Sequence, residues 1–213
     1  MPWHLAAGPV IAIVVAAVFA PPVHLAAFSM GCLGWILALL ARAPAGLLVR
    51  SANWSDARAS TLMLALSGPT EEATRWVILL GVGMGFQNAI WLGLGWSLAE
   101  AAVTCLSIFG IRRTLRTQGE AARHLRDQLA KGPPGSRLGA GIERVIVTLA
   151  HVGFSLIVVT GGLWVLVAMI AHSVFNAAGH VTMTRTKSVA ITETVLAVTM
   201  AVIIATGLAL HVR

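Results

Sequence analysis

Seven long apolar runs are the feature of this sequence that most restricts its fold. Each run is close to the ~20 residues that an α-helix needs to cross the hydrocarbon of a bilayer. Hydrophobic residues make up 57% of the chain and charged residues 11%, a balance that is unusual for a water-soluble domain. The runs cover residues 5–20, 23–41, 59–86, 89–109, 142–160, 163–181 and 189–210. The sequence therefore predicts an all-α polytopic membrane helix bundle of about seven transmembrane helices, with residues 1–213 as a single domain.

The basic residues between the runs predict the orientation of the helices. Arginine and lysine are concentrated after the second, fourth and sixth runs, whereas the turns near Pro21, Asn88 and Gly161 carry neither. Because positive loops stay in the cytoplasm, we expect a cytoplasmic N-terminus, an external C-terminus and a multi-pass protein of the cell membrane. The residues assigned to the cytoplasmic loops are Arg42, Arg50, Arg58, Arg112, Arg113, Arg116, Arg123, Arg126, Lys131, Arg137, Arg144, Arg185 and Lys187.

One sizeable polar segment, residues 111–139, separates the fourth and fifth runs. Four apolar residues recur in it at near-helical spacing beneath a basic face: Leu115, Ala122, Leu125 and Leu129. The pattern predicts a basic cytoplasmic amphipathic connector that lies against anionic lipid and ends at the Gly/Pro run 132–135. Since the net charge of +7 is concentrated here, we expect membrane lipid, and not nucleic acid, as the partner of these charges.

Ionisable groups inside the apolar runs indicate a functional site. A charge at mid-membrane costs on the order of 3 kcal/mol even on the most lenient scale, so such groups are candidates for function. They fall on four different runs and, counted from the run ends, at a similar depth. They are Glu71, Glu72 and Arg75 in the third run, Glu100 in the fourth, His151 in the fifth, and His172 with Asn176 in the sixth. We expect these side chains to face one centre.

The spacing within the third run predicts a local ion pair and a weak point. Arg75 follows Glu71 by four residues, so both lie on one helix face, and we expect Arg75 to form a structural ion pair with Glu71 that leaves Glu72 available. Gly68 and Pro69 should break or kink this helix, so that neighbours or water must satisfy the released backbone groups.

The order of these residues resembles a family of membrane proteases, the PrsW/YhfC-like intramembrane proteases, which are distantly related to the CAAX prenyl endopeptidases. The resemblance covers about residues 68–178, and the stretches 142–155 and 170–176 are most similar to the YhfC branch. The chain departs from the CAAX enzymes at Glu100, where those enzymes have a histidine. The matching motifs are EExxR (Glu71, Glu72, Arg75), an aromatic residue separated by three residues from a glutamate (Trp96, Glu100), a lone histidine (His151) and HxxxN (His172, Asn176).

The resemblance implies hydrolysis of a peptide bond in a membrane-anchored or lipid-modified peptide or protein, and the residue types suit that chemistry. Glu72 is expected to take a proton from the attacking water and return it to the leaving amine. His151 would hold the water, while His172 and Asn176 would donate hydrogen bonds to the developing oxyanion. The candidate catalytic set is Glu71, Glu72, Glu100, His151, His172 and Asn176.

Other functions remain open at this stage. His151, His172 and Glu100 have the side chains that Zn²⁺ accepts, so the reaction is expected to use either no cofactor or zinc. A small proton-coupled transporter would also place carboxylates and histidines at mid-depth, and a b-type cytochrome would use His151 and His172 as haem ligands. A set of polar groups that only ties helices together is the remaining alternative.

Overall fold

The computed structural model describes residues 4–19, 22–131 and 137–212, and the regular structure in these ranges is helical throughout. The ends predicted for the first run at residue 20 and for the connector at residues 132–135 lie outside the described residues. The helices are α1 (His4–Phe19), α2 (Leu25–Ser51), α3 (Asp56–Val82), α4 (Phe86–Leu115), α5 (Glu120–Lys131), α6 (Arg137–Val158), α7 (Leu163–Thr186) and α8 (Val189–Ala209). The predicted all-α architecture is confirmed.

Five of these helices are long and apolar enough to span a membrane, judged by length and composition. They are α2, α4, α6 from Gly139 onward, α7 and α8. Helix α1 has only 16 residues, fewer than the ~20 that cross hydrocarbon. Helix α3 has 27 residues, but Glu71, Glu72 and Arg75 interrupt its apolar character. The chain therefore has the composition of a multi-pass membrane protein.

The polarity of the bundle is inverted relative to a water-soluble protein. Glu71, Glu72 and Arg75 are at most 4% exposed, whereas large aliphatic side chains cover the outside. Extensive exposed apolar surface marks a face that meets lipid or another protein. Examples on several helices are Val10, Val14, Leu40, Leu47, Val77, Leu80, Leu106, Ile170, Val198 and Val202. This distribution suits a bundle whose outer solvent is hydrocarbon.

Six helices pack as a closed ring. Helix α2 packs against α3, α3 against α7, α7 against α8, α8 against α6, α6 against α4, and α4 against α2. Helix α1 packs against α4 and α6, and α5 packs against α4. Polar residues that face the centre of this ring can therefore meet one another although they come from distant parts of the chain.

Helices α3 and α7 approach each other most closely at Gly68, where an added Cβ would lie 1.9 Å from the carbonyl oxygen of Met169. Pro69 has no N–H, so the carbonyl of Ala65 loses its helical donor. The Ser173 hydroxyl replaces that donor at 3.1 Å and accepts a hydrogen bond from the Gly68 N–H at 3.2 Å. A neighbour thus satisfies the released groups, as predicted, but α3 continues through the proline without the expected break.

The segment predicted to be one amphipathic connector is divided in the structure between the end of α4 and a separate helix, α5. Helix α4 continues to Leu115, so this leucine belongs to α4 and not to the amphipathic helix, which begins at Glu120 after a short turn. The Arg126 guanidinium donates to the carbonyls of Leu115 and Thr117 at 2.8 and 3.0 Å. These bonds tie α5 back to the end of α4, and Ala122 is completely buried.

Most of the basic residues that the sequence assigned to loops lie inside helices, and two of them, Arg42 and Arg144, line the candidate site. Arg42 is part of α2, which runs to Ser51 and so extends well beyond the predicted end at residue 41. Arg144 is part of α6, in its second turn. Both side chains line the interior of the helix ring, where they take part in the candidate site.

Candidate functional site

A cavity of about 500 Å³ lies among α2, α3, α4, α6, α7 and α8. Apolar walls are supplied by Trp35, Phe154 and Phe175, among others. The polar and charged groups that line it are Arg42, Glu71, Glu100, Thr104, Glu143, Arg144, His151, His172, Asn176, His180 and Thr192. The cavity therefore combines ionisable groups with apolar surface, as binding sites for organic ligands commonly do.

The cavity extends toward one end of the bundle. Thr104 lies in the C-terminal half of α4, Glu143 near the start of α6, Met183 near the end of α7 and Thr192 in the first turn of α8. These helix ends carry the basic segments of the chain. The cavity thus reaches the end of the bundle that the sequence predicts to be cytoplasmic.

The structure brings the predicted site residues together. The imidazole rings of His151 and His172 have centroids 5.7 Å apart, and each histidine contacts a glutamate of another helix. Five of the six predicted catalytic residues line the cavity: Glu71, Glu100, His151, His172 and Asn176. Glu72, the sixth, lies behind His172 and is completely buried.

Arg75 pairs with Glu72. The predicted pair of Arg75 with Glu71 is wrong. Its Nη1 lies 3.2 Å from Glu72 Oε2, and both side chains are 0% exposed. Residues three and four positions apart on a helix are both neighbours on its surface, so sequence spacing alone does not choose between the two glutamates. The structure therefore reverses their expected roles, because Glu72 is enclosed and Glu71 faces the cavity.

Both carboxylate oxygens of Glu71 are held by side chains of other helices. Arg42 of α2 lies 3.0 Å from Oε1, and the indole N–H of Trp96 in α4 donates to Oε2 at 3.0 Å. The same Oε2 lies 3.7 Å from Nε2 of His172. That last separation is longer than a direct hydrogen bond and is the kind of gap that a water molecule can bridge.

His172 is fixed in orientation by two neighbours. Its Nδ1 lies 2.5 Å from Glu72 Oε1, and its ring stacks on Phe154 with centroids 4.5 Å apart and planes within 5°. A carboxylate at Nδ1 sets which nitrogen of an imidazole remains available for chemistry. Nε2 is therefore the nitrogen of His172 that is directed toward Glu71 and the cavity.

Both ring nitrogens of His151 are already engaged by protein groups. The Arg75 Nη2 donates to Nδ1 at 3.2 Å, and since a guanidinium only donates, Nδ1 accepts and Nε2 carries the proton. Nε2 then donates to Glu100 Oε2 at 2.8 Å. Its position suits a link between Glu100 and Arg75 better than the predicted role of holding water.

Glu100 has its own arginine. Arg144 of α6 lies 2.9 Å from Glu100 Oε1 and 2.6 Å from Glu143 Oε1. Sequence reasoning missed Arg42 because the second run ends one residue before it, and missed Arg144 because this residue was counted with the basic loop although the fifth run already contains it. It also used Trp96 only as part of a motif and gave Phe154 no role. The signal for Arg42 was the greater length of α2, and the signal for Arg144 was its position inside the fifth run.

Among the described residues, one set offers three possible metal ligands. Glu71, His151 and His172 each present a ligand atom, and these atoms lie within 4.8 Å of one another. The predicted zinc set contained Glu100 in place of Glu71. His151 must release Glu100 or Arg75 before it can bind an ion, and the nearby guanidinium repels a cation. Glu71 and His172 fit a zinc ion as placed, whereas His151 fits one only after rearrangement.

No family model, no curated protein and no solved structure matches this chain. The resemblance to the PrsW/YhfC-like proteases therefore rests on the order of the motifs and stays a hypothesis. The geometry of the cavity carries the functional argument.

Proposed function

We propose that this chain is an intramembrane endopeptidase that hydrolyses a peptide bond of a membrane-anchored or lipid-modified substrate with a carboxylate-activated water. The observation that carries the proposal is the pair formed by Glu71 and His172. The carboxylate and the Nε2 atom face each other across 3.7 Å at the wall of a cavity of about 500 Å³. A water molecule in that gap contacts a base and a polarising group at once.

Glu71 is the general base in this mechanism. It removes a proton from the water as the oxygen attacks the peptide carbonyl, and it returns the proton to the leaving amine. Glu72, which the sequence favoured for this role, is fully enclosed by Arg75 and His172. Its function in the proposal is to orient His172, in the way that a buried carboxylate orients a catalytic imidazole.

His172 and Asn176 donate hydrogen bonds to the negative oxygen that forms during attack. Because Glu72 accepts from Nδ1 of His172, Nε2 can donate only when His172 is an imidazolium, and we assign it that form. His172 and Asn176 lie one turn apart on α7, and both line the cavity. One amide hydrogen of Asn176 is used by the Ser67 hydroxyl at 3.0 Å, and the other is available to a substrate oxygen. Because such donors act in a water-poor site, each contributes about 3 kcal/mol to lowering the barrier.

The proposal includes a seven-span topology in the cell membrane. Helices α1 and α3 complete the five spans identified by length and composition, with the N-terminus in the cytoplasm. Support for α3 comes from its position in the ring between α2 and α7, where its charges face inward. In this topology the cavity opens toward the cytoplasm, so the scissile segment of the substrate enters from that side.

The decisive experiment compares two glutamate-to-glutamine variants in liposomes that contain membrane-anchored peptide reporters. Glu71→Gln keeps the size of the side chain but cannot act as a base, so the cleavage rate should fall by about 10²- to 10⁴-fold. Glu143→Gln, at the rim of the same cavity, should cleave at close to the wild-type rate. Glu143→Gln should retain the wild-type melting temperature in detergent. Glu71→Gln, which leaves Arg42 without its partner, should melt at a lower temperature but remain folded at the assay temperature. Normal cleavage by Glu71→Gln contradicts the proposal.

The same preparation separates the proposed reaction from the alternatives. Incubation with a zinc chelator should leave cleavage unchanged, whereas a zinc enzyme would lose activity and regain it when Zn²⁺ is added. A proton-coupled transporter would cleave no reporter, and proton movement into the liposomes would depend on Glu71. A haem protein would show a visible absorption band after purification.

A further inference from the structure

Trp96 contacts both Glu71 and Arg75, the ion-pair partner of Glu72. Its indole N–H donates to Glu71 Oε2 at 3.0 Å, and the Arg75 guanidinium carbon lies 4.5 Å above its ring. Arg75 in turn pairs with Glu72. One side chain of α4 thus separates the carboxylate that faces the cavity from the arginine that neutralises the enclosed one.

The indole ring of Trp96 is closely packed by its neighbours. Trp96 is completely buried, and Gly34 of α2 lies directly against it, so that an added Cβ at Gly34 would approach Trp96 Cζ3 to 2.7 Å. A ring that is packed on all sides has no alternative rotamer of low energy. The direction of its N–H is therefore fixed by packing and not by the hydrogen bond alone.

We propose that Trp96 is a positioning residue for Glu71, and this inference rests on the proposed role of Glu71 as the base. A carboxylate held only by Arg42 through Oε1 can rotate about its terminal bond and turn away from His172. The indole N–H holds Oε2 at the position that faces Nε2 of His172. Correct placement of a reacting group before attack can account for a large part of catalysis.

The test is Trp96→Phe, which removes the indole N–H and retains an aromatic ring beneath Arg75. The matched control is Trp91→Phe on the same helix, because the Trp91 N–H donates to the carbonyl of Pro22 and does not contact the cavity. Trp96→Phe should lower kcat about tenfold with KM unchanged, and Trp91→Phe should leave both at wild-type values. Equal losses in the two variants, or a change confined to KM, would overturn the proposal.

A second substitution guards against a folding defect in Trp96→Phe. Incorporation of benzothienylalanine at position 96 replaces only the N–H by sulfur and keeps the bicyclic shape. If Trp96 positions Glu71 through its N–H, this variant should show the wild-type melting temperature and the same tenfold loss of kcat. Wild-type kcat in this variant contradicts the proposal, because the packing volume is then the property that matters.

A measurement that does not depend on activity separates the inference from the proposed function. With Oε2 released, Glu71 should react several-fold faster with dicyclohexylcarbodiimide in Trp96→Phe than in wild type or Trp91→Phe, as read by mass spectrometry of the labelled peptide. An unchanged labelling rate refutes the contact. If labelling rises but no variant cleaves any reporter, Trp96 holds Glu71 as inferred and the protease function is wrong.

Discussion

Replacing Arg75 by methionine should destabilise the bundle strongly, because Arg75 has no exposed surface and serves several partners at once. It is the counter-charge of Glu72 at 3.2 Å, and it donates to the carbonyl oxygen and Nδ1 of His151 at 3.3 and 3.2 Å. Methionine fills much of the same volume with an apolar chain. The substitution therefore removes the charge and the donors while limiting the cavity that is left behind.

The expected magnitude follows from those contacts. Breaking a buried ion pair by removing one partner costs about 3–5 kcal/mol, because a charge remains buried without compensation. Each lost hydrogen bond to His151 adds about 1 kcal/mol. Changing Glu72 to glutamine in the Arg75→Met background removes the unpaired carboxylate, so it should recover about 3 kcal/mol of this loss. The double variant should then be more stable than the single one.

Equilibrium unfolding in mixed detergent micelles measures these differences. Arg58→Met is the matched control, since Arg58 is an exposed arginine of the same helix and its replacement should change stability by less than about 0.5 kcal/mol. The reasoning is refuted if Arg75→Met unfolds within about 1 kcal/mol of wild type, a loss far below the cost of a broken buried pair. A double variant that is less stable than Arg75→Met would likewise refute the view that an uncompensated Glu72 charge is responsible.

Two further predictions concern topology and helix packing. Reporter fusions should place Arg50 and Lys187 in the cytoplasm and Gly161 outside, and an external Arg50 would reverse the side from which substrate reaches the cavity. Gly68→Ala should destabilise the bundle by roughly 1–3 kcal/mol, because its Cβ meets a backbone carbonyl of α7 that cannot move freely. In the same unfolding assay, Gly46→Ala should not lose stability, because nothing lies within 4 Å of the added Cβ.

The sequence correctly predicted that the site residues lie close together. In a membrane helix, the distance of a residue from the end of its apolar run gives its depth in the bilayer, and residues at one depth on neighbouring helices can meet. Glu71, Glu100, His151 and His172 fall at comparable distances from the ends of four apolar runs, and the structure gathers them around one cavity. The rotation of each helix about its own axis, by contrast, cannot be predicted from the depth of its residues. Which face of each helix turns inward depends on close approaches such as that at Gly68, and these involve pairs of residues far apart in sequence.

Which charged side chains pair with one another was harder to predict from the sequence, for two physical reasons. Neighbouring glutamates at positions 71 and 72 are both within reach of an arginine on the next turn, so helix periodicity does not decide which one Arg75 binds. Helices in membranes also continue past the hydrocarbon as polar extensions. Arg42 lies just beyond the predicted second run and Arg144 near the start of the fifth, so the count of basic residues assigned both to loops, although the structure turns both toward the cavity.

The charges around the cavity balance one another. A carboxylate in a region of low dielectric needs a nearby cation, and three glutamates are matched by three arginines: Glu71 with Arg42, Glu72 with Arg75, and Glu100 with Arg144. Glu100 takes its cation, Arg144, from α6. Arg144 also has Glu143 as a partner, so the two possible single losses differ. Replacing both Glu100 and Arg144 by neutral residues should cost less stability than replacing Arg144 alone, which leaves Glu100 without its cation.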